Sequence, residues 1–310
     1  MKKHWNRLIR LAVVGLAVIW CLPTITLAAP KQPTPPPAPV KITVLATAGL
    51  YGHIIDWDYT VPKTADFGLV KIASLVKKER QANSHTLLVD GGNMLTGTPL
   101  TSLFASEPSK LPNPMIAAYN YLGYDAVVLG EGEFAYGSDF LSQALATARF
   151  PVLSANVHRP GQRLPTVKPY TIKEFEVGKE KKKEKIRIGI IGLTTADTTT
   201  NPENYAGITF DDQTAALNAT VKKLQNKVDA VIVVKNNGLE ISGTAVAAPG
   251  KYGSSLSRIE LTFEKTGKKW QLQHTETSTL YSVIAPADKS MADFAWPYHD
   301  ATLQHQNKRP

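Results

Sequence analysis

The sequence predicts a layered α/β domain, and three observations carry that expectation. From Lys41 onward, short strand-like apolar runs alternate with segments whose apolar residues recur at helical spacing. A β-rich stretch then occupies residues 254–280, with Gly267 placed to turn it back on itself. The glycine-rich polar loops fall just after the strand-like runs, where open α/β sheets place their chemistry.

Taken in order, "KITVLAT" reads as the first strand. "FGLVKIASLVKKERQ" puts Leu69, Ile72, Leu75 and Val76 on one face of a helix, and "TLLVD" is a short buried strand. "NPMIAAYNYLGY" is a helix closed by Gly123, followed by the strand "DAVVLG". "SDFLSQALATARF" is a helix with Ser138 or Asp139 as N-cap, and "PVLSAN" is the next strand. Two strands, "PYTIKEFEV" and "IRIGIIGL", flank the lysine-rich run "GKEKKKEK" at 178–185. "DDQTAALNATVKKLQNK" is a helix and "DAVIVV" a strand. No internal repeat interrupts this order.

The first residues are not part of the domain. "MKKHWNRLIR" carries Lys2, Lys3, Arg7 and Arg10 and no acid, "LAVVGLAVIWCL" is apolar, and "TLAA" offers a small-residue cut after Ala28. This is the layout of a secretory signal peptide over 1–28. An uncleaved anchor is the alternative, because Leu11 to Ala29 carries no charge, although Pro23, Thr24 and Thr26 weaken a span. Bulky Trp20 before Cys21 speaks against a lipoprotein. A proline-rich linker at 29–40 follows, then the domain at 41–285, then a helix or tail at 286–310.

The lone cysteine, Cys21, lies in the leader, so the exported chain has no disulfide and no thiol chemistry. Formal net charge is +9, and loss of the four leader bases leaves +5. The lysine run lacks interleaved aromatic or arginine residues, so it reads as a solvated hairpin loop and no nucleic-acid partner is expected.

Four loops hold the candidate chemistry: "ATAGLYGH", "VDGGNMLTG", "LGEGEFAYG" and "VKNNGLE". In the third, Glu131 and Glu133 follow a strand end, where acids and metal ligands commonly sit. Together with "GLVKIASLVKKER", "GTPL", "MIAAYNYLGYDAVVLG", "PVLSANV", "IRIGIIGLTT" and "GKYGSSLSRIELTF", they make residues from about Ile42 onward resemble the metal-dependent domain of the 5'-nucleotidase and 2',3'-cyclic-nucleotide 2'-phosphodiesterase family. That family belongs to the calcineurin-like metallophosphoesterases. The resemblance implies an αββα sandwich, two divalent metals and hydrolysis of phosphoesters.

It also implies that the metal centre is degenerate. The family loop D-L-H-G is here "GLYG", with Gly49 at the Asp position and Tyr51 at the His position. N-G-D is "GGN", with Asn93 where the bridging Asp belongs, and an amide brings no charge to bridge two dications. G-N-H-E is "GEGE", with Glu131 for the Asn ligand, Gly132 for the His, and Glu133 at a structural position. H-S-G is "NNG", with Asn236 for the His ligand. A fifth motif, G-H-x-H, is missing, since the chain passes almost directly from "NNGLEISGT" to "AVAAPGKYG". The family's C-terminal base-binding domain would begin where residues 286–310 stand.

Asp90 is expected to brace the second loop, and Tyr51 to fill the space vacated by a metal. A remodelled mono-metal site would draw on His53, Asn93, Glu131 and Asn236. The serines and threonines of "GTPLTS" have no His–Asp partner, and "GEGEFAYG" presents carboxylates, not a phosphate cradle. The resulting expectation is an exported, catalytically inactive relative used as a binding or interaction module, with no cofactor. Its partner would be an unidentified protein or small molecule of the cell envelope, and it would touch the membrane only through an uncleaved leader. Two alternatives stand beside it: a phosphoesterase with a remodelled site, and a truncated product without function.

Overall fold

A computed structural model describes residues 37–107, 109–158, 167–178, 183–195, 202–205, 207–241 and 244–308. The signal peptide, most of the proline-rich linker and the centre of the lysine run lie outside the described residues. From Pro37 onward the chain forms one compact unit.

Two sheets stack face to face. The larger has the strand order β16 (Lys269–Tyr281), β15 (Ser255–Thr266), β1 (Val40–Thr47), β4 (Thr86–Asp90), β5 (Ala126–Val128), β6 (Val152–Leu153) and β8 (Val167–Lys168). Strands β1, β4, β5, β6 and β8 run parallel, while β15 pairs antiparallel with β1. The smaller sheet has the order β14 (Thr244–Ala247), β13 (Gly238–Ile241), β12 (Ala230–Lys235), β10 (Glu184–Leu193) and β9 (Tyr170–Val177). Two short pairs, β2 (Trp57–Asp58) with β3 (Lys63–Thr64) and β7 (Val157–His158) with β11 (Thr209–Phe210), complete the described strands.

The alternation of side chains along a strand sends residues two apart to the same face. In β1, Ile42, Val44 and Ala46 point into the core between the sheets, and Leu45 points into the core beneath the helices. In β4, Leu87 and Val89 take the first direction and Leu88 the second. Burial on both faces explains why these strands are nearly continuous apolar runs.

The helical core is covered by α1 (Leu69–Ala82), α2 (Pro99–Ser106), α3 (Pro114–Leu122), α4 (Gly137–Leu145) and α6 (Lys289–Asn307). Helix α5 (Gln213–Leu224) packs on β10 of the smaller sheet. The layers are therefore α/β/β/α, the αββα sandwich expected from the sequence.

Local chemistry sets most helix ends. Asn113 caps α3 through its side chain, and Gly123 ends that helix in the left-handed conformation at φ 70°. Asp212 caps α5. Helix α4 differs from expectation: it starts at Gly137 with Tyr136 as N-cap, because a 3-10 turn over Glu131–Phe134 leads straight into it. The aromatics of the C-terminal part divide in two. Trp270 and Tyr298 are buried packing residues, whereas Tyr281 and Trp296 are exposed. Helix α6 packs against α1, α2 and α3, and buried His299 accepts or donates at Nδ1 to the Tyr59 hydroxyl at 2.8 Å. Among the described residues, no helix is long and apolar enough to cross a membrane.

Candidate functional site

The four candidate loops come together at the carboxyl ends of β1, β4, β5 and β12. The first two are joined through their backbones. Gly91 N–H donates to the Thr47 carbonyl, Gly49 N–H to the Gly92 carbonyl, and Tyr51 N–H to the Asn93 carbonyl, each at 2.8 Å. A fifth segment, the turn Lys251–Gly253 before β15, joins them when Tyr252 N–H donates to the Gly49 carbonyl at 2.7 Å. Three of the described non-glycine residues with positive φ lie here: Tyr51, Asn93 and Tyr252. Such conformations cost free energy and persist only where surrounding contacts fix them.

Glu133 supplies much of that fixing. It is fully buried, and its carboxylate accepts from four backbone N–H groups: Gly130 at 2.6 Å, Met94 at 2.6 Å, Asn93 at 2.8 Å and Leu95 at 3.3 Å. Burial holds its pKa above the ordinary carboxylate range, against the opposing pull of those four donors. The acid is thus a brace between the second and third loops.

Asp90 plays the corresponding part between the first and second. It accepts from the Thr47 hydroxyl at 2.6 Å and from Gly92 N–H at 2.7 Å. Since Thr47 donates its one proton to Asp90, the Tyr124 hydroxyl donates to Thr47 at 2.8 Å. Burial, with a smaller push from the Glu133 charge, raises the Asp90 carboxyl to about 7.

Asn93 lies at the centre. Its Oδ1 accepts from Gly132 N–H at 2.8 Å, and its Nδ2 donates to the Tyr51 hydroxyl at 3.1 Å. A Cβ on Gly130 would overlap the same amide oxygen, and a Cβ on Gly132 would meet Thr96 Cγ2 at 2.9 Å. The glycines of this loop are therefore needed for the close approach of Asn93. The Tyr51 ring lies against Gly49, where a Cβ would be 3.0 Å from Tyr51 Cε2.

The remaining candidates are placed differently. Glu131 is exposed and makes no hydrogen bond or ion pair among the described residues. His53 donates from Nδ1 to the Leu50 carbonyl at 2.9 Å, and burial lowers its pKa. Its ring packs on Phe67 and Tyr252, with centroids 4.8 and 4.7 Å away. Asn236 sits in the two-residue turn between β12 and β13, beside Lys235, whose carbonyl would overlap any Cβ on Gly91. No hydrogen bond among the described residues joins His53, Glu131 or Asn236 to Asn93.

Sequence reasoning did not single out Lys251, Tyr252 or Phe67 as members of this cluster. Lys251 Nζ lies 6.0 Å from the Tyr51 ring centroid, and the Tyr252 ring lies 5.7 Å from that of Tyr51. These contacts span some two hundred residues of chain, and no local spacing announces them.

A pair of divalent cations needs several charged or imidazole donors with free lone pairs. Here the Glu133 and Asp90 carboxylates are occupied by N–H and O–H donors, and the Asn93 amide is engaged at both ends. Among the described residues, no three His, Cys, Asp or Glu side chains come together so as to hold a metal. The residues present do not fit the two-metal centre that the family resemblance implies.

No family model matches the chain. Among curated proteins, it is 35% identical over 360 aligned positions to the trifunctional nucleotide phosphoesterase protein YfkN of Bacillus subtilis, covering 93% of this chain and 24% of that protein. It is 26% identical over 335 positions to the 2',3'-cyclic-nucleotide 2'-phosphodiesterase/3'-nucleotidase of Salmonella typhimurium, covering 87% of this chain and 52% of the relative. The chain thus spans about a quarter to a half of the length of these relatives. The YfkN alignment is longer than the whole 310-residue chain, so part of it sets residues of the relative against gaps in this chain. Among solved structures, calcineurin-like phosphoesterase YfkN from Bacillus subtilis superposes with a TM-score of 0.79 at 25% identity, over 87% of this chain and all of that one. A 5'-nucleotidase from Staphylococcus aureus shares the fold at a TM-score of 0.67 and 21% identity. By homology and by fold, this chain belongs to the 5'-nucleotidase and 2',3'-cyclic-nucleotide phosphodiesterase family, in its calcineurin-like phosphoesterase part.

Proposed function

We propose that this chain is an exported, catalytically inactive member of the family that works as a binding or interaction module. The observation that carries this reading is the double engagement of Asn93, whose amide oxygen and nitrogen are taken up by Gly132 and Tyr51 at the position of the bridging metal ligand. Exchange of a charged ligand for an amide tied down by its neighbours removes both the charge and the lone pairs a dinuclear centre uses. The framework that once positioned ligands now holds a rigid loop cluster rimmed by Lys251, Tyr252 and Glu131, which is suited to recognising a protein or small molecule in the cell envelope. Export is supported by the basic, apolar and small-residue segments of residues 1–28. A decayed product without function is disfavoured by two cores of fully buried, interlocking side chains.

The test is metal analysis of the purified protein together with assays on a phosphomonoester and a phosphodiester. The expected result is no stoichiometric divalent metal and no turnover, with or without added metal. A tightly bound divalent ion accompanied by hydrolysis establishes the rival reading, a phosphoesterase with a remodelled site.

A further inference from the structure

The opposite end of the sandwich carries a different feature, which does not depend on whether the loop cluster is catalytic. A concave surface of about 740 Å³ is formed where the amino ends of β10 and β12 meet the tip of the β15–β16 hairpin. Lys183, Lys185, Arg187, Lys227, Lys268 and Lys269 line it, with Lys265 beside them.

The acids nearby are committed to part of this set. Glu176 pairs with Lys183, Glu174 with both Lys185 and Arg187, and Glu184 with Lys265. Asp229 accepts from the backbone N–H of Arg187 at 2.8 Å. Lys227, Lys268 and Lys269 are exposed and have no ion pair among the described residues. Trp270 is buried and donates to Glu184 at 3.0 Å, so it offers no stacking face. The surface attracts anions by charge alone.

Its position relative to the chain is the second observation. Strand β1 begins at Val40, which pairs with Phe263, and the hairpin closes three residues further along at Thr266 and Lys269. At the rise of an extended strand this separation is about 10 Å. The segment that precedes Val40 is the proline-rich linker, and before it come the uncharged residues Leu11 to Ala29 and the bases Lys2, Lys3, Arg7 and Arg10. The chain therefore enters the sandwich at its most basic end, behind a lipid-compatible stretch, while the loop cluster lies at the far end.

We propose that this basic end faces the membrane and binds anionic lipid headgroups. A bilayer surface fits better than a soluble polyanion, because the tether leads from the apolar stretch to this end and a headgroup plane needs no aromatic platform. The contact is additional to any made by the leader, and it orients the loop cluster away from the bilayer.

Vesicle co-sedimentation tests this with the chain from Pro37 onward, which retains both cores and every described strand and lacks the apolar stretch. Binding is expected to vesicles of phosphatidylcholine with one third phosphatidylglycerol, not to phosphatidylcholine alone, and salt should release it. A triple variant, Lys227→Glu with Lys268→Glu and Lys269→Glu, should bind on the order of 100-fold more weakly. A control of equal charge change at exposed Lys63, Lys78 and Lys110 should retain most of the binding. Circular dichroism checks that both variants are folded. Equal binding to neutral vesicles, no binding to anionic ones, or equal losses in the two triple variants overturns the proposal. Binding to polyphosphate in solution without binding to anionic vesicles also overturns it, in favour of a soluble polyanion.

Discussion

Replacement of Asp90 by Asn tests the account of the loop cluster at its most buried charge. Asp90 is fully buried, and its carboxyl is raised from the ordinary value of 3.8 to about 7, chiefly by burial. An acid whose pKa is higher in the folded state favours folding when protonated. Its contribution is complete below the unfolded pKa and is lost as pH rises through the folded one. Over a shift of about three pH units the loss is about 4 kcal/mol, a large fraction of the stability of an ordinary domain. The Asn variant keeps an oxygen for Gly92 N–H, and its amide nitrogen can donate to the Thr47 hydroxyl, which then turns its own proton toward Tyr124. It should therefore fold, match the parent near pH 4, and exceed it by a few kcal/mol near pH 8. A shallower decline should remain in the variant, because burial raises Glu133 in the same direction. Urea denaturation midpoints measured between about pH 4 and about pH 8 read this directly. Parallel curves for the parent and Asp90→Asn, offset or not, would falsify the assignment of the titration to Asp90.

Other substitutions probe the same frame. Glu133→Ala strands four buried N–H donors and should destabilise the protein by about 3 kcal/mol or more, read by denaturant unfolding. A loss below about 1 kcal/mol would mean that water or a backbone shift replaces the brace. Tyr51→Phe removes only the hydroxyl bonded to Asn93 and should cost about 0.5–1.5 kcal/mol. Gly91→Ala sets a Cβ against the Lys235 carbonyl, which is backbone and cannot swing aside, and should lower stability by about 1–3 kcal/mol in thermal unfolding. An unchanged melting temperature for this variant would show that the second and fourth loops do not touch.

Much of the architecture is written in short-range features of the chain. Alternation and helical spacing mark β1, α1, β4 and β12, and Asn113, Asp212, Gly123 and Gly267 set their turns and caps through chemistry that acts within a few residues. Loop motifs in a fixed order were enough to indicate the family and the positions at which ligands had been exchanged. The start of α4 was misread because Ser138 and Asp139 are good caps in isolation, whereas the preceding turn, pinned by Glu133, had already set the helical direction. Trp270 gave no sign that it was buried, since its indole nitrogen is satisfied by Glu184 from another hairpin.

The amino-acid order alone determined the layered fold and the exchange of each metal-ligand position. Only tertiary structure decided what the exchanged residues do. Asn93 meets Tyr51 and Gly132 across about forty residues of chain, and Glu133 reaches Asn93 and Met94 over a similar span. It likewise brought Lys227, Lys183 and Lys269 to one surface from three separate segments. Short-range propensity is a property of neighbours in sequence, but hydrogen bonds and electrostatic fields depend on distance in space, which folding alone fixes.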